Sequence, residues 1–150
     1  MNREEKTELL NMLHEVFSNA ESVVITEYLG LTVAEADELR NKVRDAGASL
    51  RVTKNRIARL AVKDTKFEGL ADLFKGPVAM AYANDPIAAC KACVEFAKNN
   101  EKLVIVGGAL SDKALTLDEI KELAAIPSMD ELRAKLVGLL QAPAAKLARV

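Results

Sequence analysis

Arg51, Lys54, Arg56 and Arg59 crowd one short run of the chain, with Asn55 among them, where the residue pattern changes from strand to helix. Leu50 and Val52 alternate with Arg51 and Thr53, the period of a half-buried strand. From Lys54 onward Ile57, Leu60 and Ala61 keep helical spacing, which leaves Arg56, Arg59 and Lys63 on other faces. Cations in a first helical turn oppose the helix dipole. Placing them beside unpaired backbone N–H groups makes sense if the partner is an anion. Phosphate is the obvious one, and repeated phosphates mean nucleic acid. The expected centre is Lys54, Asn55 and Arg56, flanked by Arg51, Arg59 and Lys75. Arg forks onto phosphate, Lys acts as a point charge, and Asn reaches a phosphate, a 2′-hydroxyl or a base edge. The plainer reading is a solvated basic helix face.

Other residues that could do chemistry lead nowhere comparable. Cys90 and Cys93 form a C-x-x-C, but Asp85-Pro86 reads as the cap and first residue of their helix. That would put Cys90 about a turn inside, away from the helix end that activates a redox thiol. Zinc needs further ligands, and His14, the single histidine, lies beside an apolar stripe with no carboxylate motif to join it. Both cysteines therefore read as small buried apolar residues. Gly107-Gly108 after a strand hints at a phosphate turn, but G-x-G-x-x-G and G-K-[ST] are both missing. Glu4-Glu5 sits in a helix first turn, where the dipole explains it. No Ser–His–Asp or Cys–His set assembles, so the sequence points to no catalysis, no cofactor and no metal. A small α/β nucleotide- or metabolite-binding enzyme is the alternative, and an adaptor needing no basic patch is a third reading.

The C-terminal stretch carries a different signal. Leu132, Leu136, Leu139, Leu140 and Leu147 share a broad apolar face, which Val150 continues, with Arg133, Lys135, Lys146 and Arg149 around it. Ala134-Lys135-Leu136 recurs as Ala145-Lys146-Leu147. Pro143 interrupts the stripe and should kink the helix without ending it. Such a face either packs back on its own domain or docks an acidic helical partner.

These segments need a scaffold. Helix is expected over 2–17, with Asn2 and Glu5 at capping-box spacing. Strands are expected at 22–28, 49–53, 78–83 and 103–108, and helices at 33–46, from 54, at 86–99 and after the Thr116/Glu119 and Ser128/Glu131 capping boxes. Residues 67–74 read as a partly helical connector and Lys75-Gly76-Pro77 as a turn. Strand–helix–strand thus occurs twice around an inserted basic helix. That order favours an α+β fold, a ferredoxin-like split βαβ plait with a four-stranded sheet and an extending C-terminal helix, over a doubly wound parallel sheet. The division expected is a globular unit at 1–126 and a helical docking segment at 127–150.

Composition agrees with a local site. The 150 residues hold 21 Lys+Arg against 22 Asp+Glu, so any nucleic-acid surface is a patch rather than a coat. There is no Trp, with two Tyr and four Phe, which disfavours serial base stacking. No apolar run approaches a membrane span and no signal-peptide core is visible, so the expected location is cytoplasmic.

Taken together, Gly30-Leu31-Thr32-Val33, Leu39-Arg40, Ala46-Gly47-Ala48, Val52-Thr53-Lys54-Asn55-Arg56 and Lys75-Gly76-Pro77 resemble the bacterial large-subunit ribosomal protein family L-ten, kin of the acidic P-zero proteins. The stretch 128–136, with Gln141-Ala142-Pro143, resembles the alphaproteobacterial form. The resemblance implies a non-catalytic scaffold at the base of the ribosomal stalk. Its globular part would bind large-subunit rRNA at the GTPase-associated centre beside ribosomal protein L-eleven. Its C-terminal helix would carry acidic stalk-protein dimers of the L-seven/L-twelve type, which recruit translational GTPases. In relatives the Pro-containing repeat continues, whereas this sequence ends at Val150, which implies a shortened docking helix.

Overall fold

The structure, a computed structural model, describes residues 3–111, 113–127 and 129–149. Asn2, Ser128 and Val150 lie outside them, as does the side chain of Arg149, so two of the expected caps and the end of the stripe lie outside the described residues.

Helix α1 (Arg3–Asn19) leads into strand β1 (Ser22–Glu27), helix α2 (Val33–Asp45), strand β2 (Ser49–Val52) and helix α3 (Asn55–Val62). A 3-10 turn over Glu68–Leu73 precedes strand β3 (Val78–Ala83), helix α4 (Ala88–Asn99) and strand β4 (Val104–Leu110). Strand β5 (Lys113–Leu115), helix α5 (Leu117–Ala125) and helix α6 (Met129–Arg149) complete the order. The sheet runs β2-β3-β1-β4-β5, and every paired neighbour is antiparallel. Its first four strands have the expected plait order. Strand β5 is an addition that the pattern did not reveal, because three residues are too few to display a period.

Both faces of the sheet are covered. Val23 and Ile25 join Leu13 and Phe17 of α1, Ile57 and Ala61 of α3, and Phe67, Leu70 and Phe74 in one core. Val24 joins Leu39, Val43, Ala81, Cys93, Phe96 and Ile120 in the other, beneath α2, α4 and α5. This is why β1 reads as a continuous β-branched run rather than an alternation. The inserted helix α3 turns Ile57, Ala58, Ala61 and Val62 inward and so packs on the α1 side.

Two caps match their sequence signatures. Thr32 N–H donates to Glu35 Oε2 at 2.7 Å while Glu35 N–H donates to Thr32 Oγ1 at 3.3 Å. That backbone bond, then the Lys102 ammonium 3.0 Å away, hold the Glu35 carboxyl down at about 2. Glu119 is held at about 2 by Lys113 and then by the Thr116 backbone.

A third expected cap works differently. Asp85 Oδ1 accepts from Ile87 N–H at 3.0 Å, closing a turn, and α4 begins at Ala88. The Asp85 carbonyl, which an earlier helix start would need as its first acceptor, instead takes the Ser22 hydroxyl at 2.7 Å.

Gly107 and Gly108 lie inside β4, not in a phosphate turn. A Cβ at Gly108 would stand 2.7 Å from the Val23 carbonyl oxygen, which is backbone and cannot yield. Gly108→Ala should therefore cost about 1–3 kcal/mol, as overpacking does. Urea unfolding measures this, and an unchanged midpoint would mean the strands separate freely.

Candidate nucleic-acid interface

Helix α3 starts at the end of edge strand β2 with Lys54 as its N-cap in extended geometry (φ −68°, ψ 122°). No side chain caps it. Ile57 N–H donates to the Lys54 carbonyl at 2.9 Å, so among the first-turn donors the N–H groups of Asn55 and Arg56 face outward for an acceptor. Lys54 and Arg56 are exposed, and Asn55 is half-buried between them.

Two hydrogen bonds then fasten the turn before β3 to this helix. Asn55 Nδ2 donates to the Gly76 carbonyl at 2.8 Å, and Arg59 Nη2 donates to the Phe74 carbonyl at 2.5 Å. Gly76 has φ +77°, a left-handed conformation that glycine adopts without strain. Lys75, exposed, sits between the two anchored carbonyls and is thereby held beside the start of α3. So Asn55 and Arg59 position the cationic turn, while Lys54, Arg56 and Lys75 present charge. The Asn55 amide oxygen remains available as an acceptor.

The tertiary fold adds cations that the linear run did not contain. Lys6 of α1 shares a groove of about 400 Å³ with Lys54 and Arg56. Arg51 points elsewhere. It contacts the Met12 sulfur at 2.9 Å and lines a second notch on the β2 edge with Arg40 and Arg44 of α2. Arg40 is also paired with Asp37 at 2.8 Å. The six expected residues therefore divide: Lys54, Asn55, Arg56, Arg59 and Lys75 converge, and Arg51 belongs to the neighbouring notch. Lys6, Arg40 and Arg44 are cations that the sequence reading did not place beside the run. The i, i+4 spacing of Arg40 and Arg44 was the only sequence signal for any of them.

The C-x-x-C is buried on α4, with Cys90 and Cys93 at 1 and 0 % exposure. Because α4 starts late, Cys90 lies in its first turn rather than a turn inside, where the dipole favours a thiolate. Burial outweighs that effect and pushes Cys90 up to about 11 and Cys93 to about 12. Both stay protonated, so a thiol reagent at pH 8 should leave the native chain unlabelled and react fully in denaturant. Cys90→Ala with Cys93→Ser should keep the fold, at some cost in stability from altered packing. Rapid native labelling, or loss of bound zinc from the variant, would overturn the packing role. Among the described residues no group of three or more His, Cys, Asp or Glu could hold a metal ion, and His14 is half-buried.

Helix α6 is a second surface of another kind. Leu136, Leu139, Leu140 and Leu147 are 61, 71, 81 and 79 % exposed, while Leu132 is half-buried. Pro143 lies within the helix, which continues beyond it to Arg149. No helix among the described residues is long and apolar enough to cross a membrane.

Comparison with known proteins bears on both surfaces. The family model described as Ribosomal protein L10 matches residues 1–98. A model described as Ribosomal protein uL10 C-terminal region matches residues 126–150, the part that holds α6. The chain is 57 % identical over 150 residues to the large ribosomal subunit protein uL10 of Rhodospirillum rubrum, spanning 100 % of this chain and 87 % of that protein. It is 55 % identical over 148 residues to the uL10 proteins of Brucella canis and Brucella melitensis, spanning 99 % of this chain and 86 % of each of theirs. With one family model on residues 1–98, which hold the cation cluster, and the C-terminal-region model on the uncovered helix, the chain belongs to the ribosomal protein L10 family, whose members are structural proteins of the large ribosomal subunit rather than enzymes.

Proposed function

We propose that the chain binds large-subunit rRNA through the cations around the start of α3 and anchors an acidic stalk protein through α6. In this reading residues 1–126 form the rRNA-binding unit and 127–150 the docking segment. The rRNA site is that of the GTPase-associated centre, shared with ribosomal protein L-eleven. The partners on α6 are dimers of the L-seven/L-twelve type, which bring translational GTPases to the ribosome.

The observation that carries the reading is α6. A helix with four leucines 61–81 % exposed offers an uncovered apolar face, and among its described residues none belongs to either buried core. An apolar stripe with Lys135 and Lys146 beside it suits an acidic, helical partner. The RNA half rests on Lys54 and Arg56 beside uncapped N–H groups, with Lys75 fastened alongside. The test is to recover the chain from cells under native conditions and identify what accompanies it. Large-subunit rRNA and a small acidic protein should both be present. Recovery with neither of them would end the proposal.

A further inference from the structure

The groove between α1 and α3 is more than a rim of charge. Its floor is Leu10, half-buried, with Ile57 at 7 % and Leu60 at 47 % exposure. Lys6, Lys54 and Arg56, with Thr7, complete its lining. Among the described residues no carboxylate lines it. A phosphate backbone alone would gain nothing from an apolar floor, and a leucine held half in water at a basic surface favours a ligand that covers it.

We propose that this groove receives a single unstacked nucleotide of the bound RNA, its base against Leu10, Ile57 and Leu60 and its phosphates on Lys6, Lys54 and Arg56. The inference rests on the RNA-binding reading above and narrows it to a looped or bulged segment. Paired bases in an A-form stem present only edges, whereas a splayed base presents an apolar face to protein. The volume of about 400 Å³ is at the lower end of small-ligand sites, suited to one nucleotide and not to a stem. The floor is aliphatic, so the contact tolerates different bases and hydrogen-bond readout is not its source of affinity.

The test uses the full chain and the shortest large-subunit rRNA fragment that it binds, carrying 2-aminopurine at one unpaired position at a time. One position should brighten severalfold on binding, because the base leaves its stack and meets no aromatic quencher. Leu60→Glu, at an exposed position that does not threaten folding, should abolish that response and weaken binding about tenfold. Leu60→Ser should do the same more weakly. Lys6→Ala should lower the salt slope by about one while the saturated complex still brightens.

If the fragment binds and no unpaired position brightens, the nucleotide assignment is overturned and the RNA reading stands. If Leu60→Glu leaves RNA binding and brightening intact but breaks contact with a neighbouring ribosomal protein, the groove is a protein site and the assignment is likewise overturned. If no large-subunit fragment binds at all, the RNA reading falls and this inference falls with it.

Discussion

Changing Lys54 and Arg56 together to Ala should lower affinity for large-subunit rRNA by about 10- to 100-fold near 0.1 M salt, and should flatten the salt dependence by about two units of slope. The magnitude follows from counterion release, where each phosphate contact contributes about 0.9 to the slope of log K against log salt. Both side chains are exposed and outside the cores, so the variant should melt with the wild type. Filter binding across a salt series reads affinity and slope at once. Asn55→Ala is the informative companion. It removes the bond to the Gly76 carbonyl and leaves the Lys75 turn held by Arg59 alone, so binding should weaken with little change in slope. A double variant that binds like wild type across the whole series would show that the start of α3 does not touch RNA.

Removing everything after Pro127 should abolish recruitment of the acidic stalk protein and leave RNA affinity and unfolding temperature as they were. The reason is packing. Leu136, Leu139, Leu140 and Leu147 are all more than 60 % exposed, so the globular part loses no core contact when they go. A finer version keeps the helix. Leu136→Asp with Leu140→Asp places two charges on the apolar face, and at roughly 2 kcal/mol or more per buried anchor the partner's affinity should fall beyond detection. Pull-down, RNA binding and thermal unfolding on the same preparations separate the outcomes. If the shortened chain unfolds, α6 belongs to the core and the docking role is wrong.

Much of this architecture was legible because it is written in near neighbours. The Thr32/Glu35 and Thr116/Glu119 caps close between residues three apart, so their spacing alone announces them. The turn at Gly76 and the end of α2 at Gly47 rest on local conformation, with φ +77° and +80°. The α6 stripe shows itself through helical period, and the order of strands and helices allows few sheets besides a plait.

What stayed hidden depends on contacts across the chain. Lys6 joins Lys54 and Arg56 only because α1 and α3 pack on the same sheet face. Arg51 leaves that cluster because β2 is the edge strand and turns it toward Met12 and the α2 arginines. Asn55 and Arg59 are expected RNA ligands from their place in the cation run, and only the fold shows that carbonyls of the 74–76 turn also lie within reach of their donors. Asp85 has the sequence of a helix cap, and the helix still starts later, at Ala88, with the Asp85 carbonyl bonded instead by the Ser22 hydroxyl of β1. Periodicity and capping are settled over a few residues. Which donors remain free for a partner is settled only after the sheet order has chosen every neighbour.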